Sequence, residues 1–138
     1  LLDTNIALWA ITDDPKLPET ARGLIASVSN DIFVSAASIW EISIKHGLGR
    51  GNMPISGNDA LAYFQEAGYR LLPINAAHAA FVESLPPLHA DPFDRILIAQ
   101  ALSEPMRLIT HDATVAGYGE LVTLAQVVPG SAGHVKGD

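Results

Sequence analysis

The chain has 138 residues, of which 49% are hydrophobic and 17% charged, and it contains no cysteine. This length suits one domain with its own core, the composition excludes a disordered chain, and the lack of cysteine excludes disulfides and thiolate metal sites. A net charge of -7, from 15 acidic residues against 8 lysines and arginines, argues mildly against a nucleic-acid binder, because phosphate contacts come from basic side chains.

Short runs rich in Leu, Ile and Val alternate with segments of helical spacing, which predicts a mainly parallel sheet with helices on its faces. Leu1 and Leu2 read as the end of a first strand, and glycine or proline follows several of the helical segments. Further strands are predicted over 31–35, 70–74, 106–110 and 122–124. Helices are predicted over 6–11, 18–29, 36–46, 56–67, 75–85 and 92–103.

The extent of the domain follows from where apolar patterning stops. Residues 1–128 are predicted to form the domain, and the tail 129–138 (PGSAGHVKGD) is predicted to be flexible because it lacks an apolar pattern. No apolar run approaches the roughly 20 residues that span a bilayer, and no signal-peptide pattern is present. We therefore expect a cytoplasmic protein without membrane contact.

Four acidic side chains fall near the carboxyl ends of predicted strands, where open parallel sheets bind their ligands. Asp3 follows the first strand directly, and Asp112 comes two residues after Thr110, the end of strand 106–110. Glu41 lies about two turns into the helix after strand 31–35, and Asp94 lies in the first turn of helix 92–103. Four carboxylates from distant parts of the chain are thus placed to converge.

Three of these acids also have a purely structural interpretation. Asp3 could cap the helix that begins near residue 5, and Asp112 could be a turn residue. Glu41 has Lys45 four residues later, the favourable order for a helical ion pair that contributes roughly 0.2–0.5 kcal/mol. For these three acids, the sequence excludes neither the structural role nor a role in a functional site.

The stretch HADPFDRILIAQA, residues 89–101, assigns different roles to its two aspartates. With Pro92 at the first helical position, Asp91 is the natural N-cap. Asp94 then begins an apolar stripe that continues with Leu97 and Ile98, so it points toward the edge of the core, where an unpaired charge is costly. A cation would satisfy Asp94, as would Arg95 or a nearby hydroxyl.

If the four acids converge, their mutual repulsion favours retained protons or a bound cation. A site made of oxygen ligands selects Mg²⁺ or Mn²⁺ over zinc, and such ions activate water for attack on a phosphodiester. Thr4, Asn5 and Thr110 add short polar side chains that could orient the acids or the water. The histidines show no metal-ligand spacing, and a turn or surface role is the simplest interpretation of His89 and His111.

Four motifs in order, LLDTN, SAASIWEISIKHGLG, HADPFDRILIAQA and LITHD, resemble those of the PIN-domain ribonucleases. Within that family they resemble toxins of the VapC type from bacterial toxin–antitoxin pairs. The resemblance runs from residue 1 to about residue 126. It implies a three-layer α/β/α sandwich around a parallel sheet, and a Mg²⁺- or Mn²⁺-dependent endoribonuclease that uses water as nucleophile.

The resemblance also implies roles and partners. Asp3, Glu41 and Asp94 match the first three family acids, and Asp112 matches the fourth and most variable one. The polar residues beside them are matched by Thr4 or Asn5, and by Thr110. A homodimer, a cognate antitoxin and an RNA substrate are further implications of the resemblance.

Basic residues near the acids could receive phosphates despite the negative net charge. The candidates are Lys45, Arg50 and Arg95, and the competing interpretation is that Lys45 pairs with Glu41 while the others only add solubility. Two other functions stay open: a PIN-like domain that has lost catalysis and binds protein or RNA, and a phosphotransferase of haloacid-dehalogenase type. The first is disfavoured by the presence of all four acids, and the second by Asn5, which stands where a second acid would be needed.

Overall fold

One parallel sheet is built around the start of the chain. The computed structural model describes residues 1–49 and 52–125. Leu2 forms parallel bridges to Val34 on one side and to Ile109 on the other, so the first strand lies at the centre of the sheet. The spatial order is β2, β1, Leu2, β3, β4, all parallel, as predicted. The strands are β1 (Phe33–Ser35), β2 (Arg70–Leu72), β3 (Leu108–Thr110) and β4 (Val122–Leu124).

Helices cover both faces of this sheet. Strand residues alternate between the faces: Leu1 and Leu108 pack with α6 and α7, whereas Leu2, Val34 and Ile109 pack with α1, α2 and α4. The predicted three-layer α/β/α sandwich is therefore confirmed. In the described residues the helices are α1 (Thr4–Ile11), α2 (Glu19–Ala26), α3 (Ala36–Gly47), α4 (Gly57–Glu66), α5 (Ala76–Phe81), α6 (Pro92–Ser103) and α7 (Ala113–Ala116), with a 3₁₀ turn at Val82–Ser84.

Local side-chain chemistry explains most helix ends. The hydroxyls of Ser35 and Ser56 cap α3 and α4 as N-cap acceptors, and Asp91 caps α6 by accepting from two backbone amides. Helix α2 ends at Ala26, three residues earlier than predicted. The Asn30 side-chain amide donates to the carbonyl of Leu24 there, and such local hydrogen bonds compete with the helix.

Several other predictions differ from the structure or fall outside the described residues. The helix predicted over 75–85 is α5 followed by the 3₁₀ turn, and α7 was not predicted, because four residues carry too little periodicity. The strands are shorter than predicted, apart from β4. Arg50 and the tail 129–138 lie outside the described residues. No helix in the described part of the chain is both long and apolar enough to cross a bilayer.

Candidate active site

Asp3 combines the two roles that the sequence left open. It is the N-cap of α1, where its Oδ1 accepts from the backbone N–H of Ile6 at 2.8 Å. Its Oδ2 accepts from the hydroxyl of Thr110 at 2.5 Å. Asp3 is 6% exposed, so the central strand delivers a carboxylate to the edge of the core with both oxygens already engaged.

Thr110 connects Asp3 to Asp112. The Thr110 hydroxyl donates to Asp3 and accepts from the backbone N–H of Asp112 at 3.0 Å. Asp112 in turn caps α7, because its Oδ1 accepts from the N–H of Thr114 at 2.8 Å. The turn after β3 thereby places Asp112 next to Asp3, and the Oδ2 of Asp112 stays outside the cap.

Asp91 is the N-cap of α6 as predicted, whereas the partner of Asp94 is a histidine and not the Arg95 or hydroxyl that the sequence suggested. The Oδ1 of Asp91 accepts from the N–H groups of Phe93 and Asp94, at 2.8 and 3.2 Å. Asp94 faces His89, whose Nε2 lies 2.7 Å from Oδ2 of Asp94. The same nitrogen lies 3.8 Å from Oδ2 of Asp112. His89 therefore bridges the third and fourth acids.

The environment of Asp94 opposes its ionisation. Burial raises the pKa of Asp94 to about 6 against the opposing hydrogen bond from His89, and the charges of Asp91 and Glu41 raise it further. The influence of Glu41 shows that the second acid lies within electrostatic reach of the third. A carboxyl in this state binds a proton or a cation more readily than an exposed one.

Glu41 is 7% exposed and is only half satisfied. Its Oε2 accepts from the ammonium of Lys45 at 2.6 Å, whereas its Oε1 is buried without a hydrogen-bond partner among the described residues. The hydrogen bond with Glu41 raises the pKa of Lys45, and the charges of Asp91 and Asp94 add to this effect. The pairing of Lys45 with Glu41 is thus observed. An unpartnered buried carboxylate oxygen is costly and marks a position that a ligand could satisfy.

The tightest group of potential metal ligands is not the predicted set of four. Three residues each offer one ligand atom, and these atoms all lie within 4.8 Å of one another: His89, Asp94 and Asp112. Within the described chain this group includes neither Asp3, held by Thr110, nor Glu41, held by Lys45. His89 was interpreted as a turn residue, because the path of a loop that brings it back onto Asp94 cannot be read from spacing.

His111 is a second histidine beside the acids. Its Nδ1 lies 3.7 Å from Oδ2 of Asp3, and its ring packs on Trp9 at 4.8 Å between centroids. Interaction with Asp3 raises the pKa of His111 despite partial burial. At 3.7 Å the contact is longer than a hydrogen bond, and it is an ion pair when His111 is protonated.

The other predicted site residues differ in their burial and in their hydrogen bonds. Thr4 is buried and donates to the hydroxyl of Ser38 at 2.9 Å, one turn of α3 before Glu41, whereas Asn5 is exposed. Arg95 donates to the carbonyls of Pro86, His89 and Val82 and to the hydroxyl of Tyr118. These contacts hold the loop that carries His89. A substrate contact by Arg95 or Lys45 stays a prediction.

Comparisons with known proteins show the family of the chain and a solved structure that shares its fold. A chain in the crystal structure of VapBC2 from Rickettsia felis, bound to a DNA fragment from their promoter, is 18% identical to this chain with a TM-score of 0.62. The match covers 89% of this chain and 94% of that one, and it shows a shared fold. No curated protein sequence matches significantly. The family model described as the PIN domain matches residues 1–121, a span that contains all four acids and every strand of the sheet except β4. The chain therefore belongs to the PIN domain family.

Proposed function

We propose that the chain is a Mg²⁺- or Mn²⁺-dependent endoribonuclease that acts in the cytoplasm as the toxin of a toxin–antitoxin pair. PIN domains are generally nucleases. The observation that carries the proposal is that Asp3, Asp94 and Asp112, from three distant segments, are linked through Thr110 and His89 beyond the carboxyl ends of the central strands. The network of Asp3, Thr110, Asp112, His89 and Asp94, with Glu41 in reach of Asp94, supports it. A domain that only binds partners would not need this costly gathering of buried acids.

The residues fit a divalent cation. We propose that Asp3, Glu41, Asp94 and Asp112 supply its ligands, because carboxylate oxygens suit Mg²⁺ and Mn²⁺. The unpartnered Oε1 of Glu41 and the raised pKa of Asp94 both indicate sites where positive charge is wanted. When bound, such a cation supplies an acidified water as nucleophile and offsets charge on the phosphate.

The other residues prepare this site. Thr110 holds the carboxylate of Asp3 in one orientation, as outer hydrogen bonds do for metal ligands. The ammonium of Lys45 occupies Oε2 of Glu41 and leaves Oε1 free. His89 keeps Asp94 and Asp112 within reach of one another. The contact with His89 engages Oδ2 of Asp94, so Oδ1 of Asp94 would be the oxygen that remains for a cation.

Controlled expression followed by mapping of new 5′ ends in total cellular RNA tests the activity. The chain should produce a small set of specific cuts, and Asp3→Asn should produce none. Titration of Mn²⁺ into the purified protein tests the metal, with binding that is weakened by Asp3→Asn and by Asp94→Asn. Cuts that persist in both variants, or Mn²⁺ binding that ignores both residues, would refute the proposal.

We propose a partner protein and a second copy as the assembly. The structural neighbour comes from a VapBC2 complex bound to promoter DNA, which supports an antitoxin partner for this chain. For the second copy, Trp40 and Ile44 of α3 form a stripe with Leu48, the C-cap residue that follows the helix, and their exposures are 58%, 36% and 62%. Their spacing of four residues places them on one face of the helix, and such a contiguous exposed apolar stripe is typical of an interface.

Ile44→Lys should convert the dimer to a monomer, because a charge would be placed in the apolar contact. Sedimentation equilibrium measures the mass. The control is Val28→Lys, since Val28 is 104% exposed and lies on the turn after α2, away from the stripe. A chain that is monomeric before the substitution, or dimeric after it, would contradict this surface.

A further inference from the structure

A polar cleft adjoins the acids, and two residues of the predicted site, Asn5 and Lys45, lie in its wall. It has a volume of about 420 Å³ and lies between α1 and the residues that follow α3. Two of its residues connect it to the site: Lys45 contacts Glu41, and Asn5 is next but one to Asp3 in sequence. The polar and aromatic residues of its wall include Asn5, Trp9, Thr12, Lys16, Lys45 and Asn52.

The charge of this cleft differs from that of the chain. The chain has a net charge of -7. In the cleft, Lys16 and Lys45 stand against Asp14, whose Oδ1 already accepts from the backbone N–H of Lys16 at 2.8 Å, and Lys45 also pairs with Glu41 at 2.6 Å. With Glu41 included, two lysines stand against two acids, so the cleft is close to neutral and repels a phosphate less than the rest of a negatively charged chain.

Trp9 supplies an aromatic surface, the second feature that a protein uses to bind single-stranded nucleic acid. It is partly buried, lines the cleft and packs on His111, which itself lies near Asp3. Proteins that bind single strands combine basic groups for the backbone with aromatic side chains on which bases stack. Trp9 and Lys45 provide this pair on the same wall.

A second and larger groove does not suit a nucleotide. It has a volume of about 550 Å³ and is lined by apolar residues such as Trp40, Ile74 and Phe93. Arg95 is the only charged residue among those lining it, and its guanidinium already donates to three carbonyls and a hydroxyl. Nothing there would meet a phosphate, so the polar cleft is the better candidate.

We propose that the polar cleft binds one unpaired nucleotide of the RNA substrate, next to the phosphodiester bond that is cut. The base stacks on the indole of Trp9, and the ammonium of Lys45 lies beside its phosphate. The side chains of Asn5, Thr12 and Asn52 present hydrogen-bonding groups to the edge of the base and so influence which base is accepted. This inference rests on the proposed ribonuclease function.

Cleavage of matched RNAs tests the stacking contact. The mapped target is compared with RNAs that carry an abasic nucleotide at each position flanking the cut. Trp9→Ala should lower kcat/KM on intact RNA by roughly 5- to 150-fold, and one abasic position should lower it similarly in the unchanged protein. On RNA that is abasic at that position, Trp9→Ala should lower kcat/KM little further, because the stacking contact is already lost. Trp9→Phe should retain most of the activity.

Binding provides a readout independent of cleavage. In the double variant Trp40→Phe with Asp94→Asn, Trp9 is the only tryptophan and the RNA stays intact. A single-stranded oligonucleotide of the target sequence should quench its fluorescence, and the abasic oligonucleotide should not. The matched control is Trp9→Phe with Asp94→Asn, in which Trp40 remains and should report no quenching.

The outcomes separate this inference from the proposed function. If the unchanged protein cuts no RNA, the proposed function fails. If it cuts RNA while Trp9→Ala and every flanking abasic position leave kcat/KM unchanged, the cleft is not the subsite and only the inference fails. If Trp9→Ala does not fold, the abasic series and the Trp9 fluorescence decide. Loss of antitoxin binding with full RNA cleavage would assign the cleft to the protein partner and would overturn the inference.

Discussion

Asp94→Asn is expected to lower RNA cleavage by at least about 100-fold, because losing a charged metal ligand removes several kcal/mol of transition-state stabilisation. The fold should persist. Asparagine can still accept from Nε2 of His89, and the contact at 2.7 Å needs only an oxygen. Initial rates on the mapped RNA measure the loss.

The same variant should be more stable than the unchanged chain when metal is removed. Because the folded-state pKa of Asp94 is raised from 3.8 to about 6, ionised Asp94 destabilises the fold at neutral pH. Neutral asparagine avoids this penalty, so the free energy of unfolding at pH 7 should rise by up to about 3 kcal/mol. The gain should shrink as the pH falls through 6 and vanish near 4. Urea unfolding with a chelator measures it, and a stability loss at pH 7 would contradict it.

Asp91→Asn is the matched control three residues away. Asparagine caps helices about as well as aspartate, so the two hydrogen bonds to Phe93 and Asp94 survive. We expect a stability loss of about 0.5 kcal/mol or less and largely intact cleavage. Equal loss of activity in the two folded variants would show that the division of roles at this helix start is wrong.

Thr110→Val is expected to weaken Mn²⁺ binding and cleavage by roughly 10- to 100-fold, although Thr110 itself is not a proposed ligand. Valine keeps the shape but removes the hydroxyl that donates to Asp3 and accepts from the N–H of Asp112. Thr110 is 0% exposed, so both partners would be left buried and unsatisfied, at about 1–3 kcal/mol in stability.

Mn²⁺ affinity distinguishes positioning from simple stability, and Thr110→Ser should restore both affinity and cleavage because it restores the hydroxyl. Thr114→Val is the control. Thr114 is exposed and meets Asp112 only through its backbone N–H, so its substitution should change neither quantity. A Thr110→Val protein with unchanged Mn²⁺ affinity would rule out the orienting role.

The sequence by itself determined the class of fold and the family. Apolar runs of strand length between helical segments predicted the parallel sheet, and the carboxyl ends of the strands indicated where a site would lie. The helix start at Asp91 and Pro92 was readable because capping depends on neighbours in sequence. The resemblance of four ordered motifs to PIN domains is confirmed by the family model over residues 1–121. The assignment of catalytic residues stays a prediction.

Only the tertiary structure decided how the acids are held. Asp3 both caps α1 and accepts from Thr110, so the alternatives offered by the sequence coexist. His89 returns onto Asp94, one oxygen of Glu41 has no partner among the described residues, and Trp9 lines a cleft beside the acids. These facts depend on the path of loops and on contacts between residues as far apart as 3 and 110. Periodicity and capping report on neighbours along the chain, whereas the partners of a buried side chain are fixed only when distant segments pack.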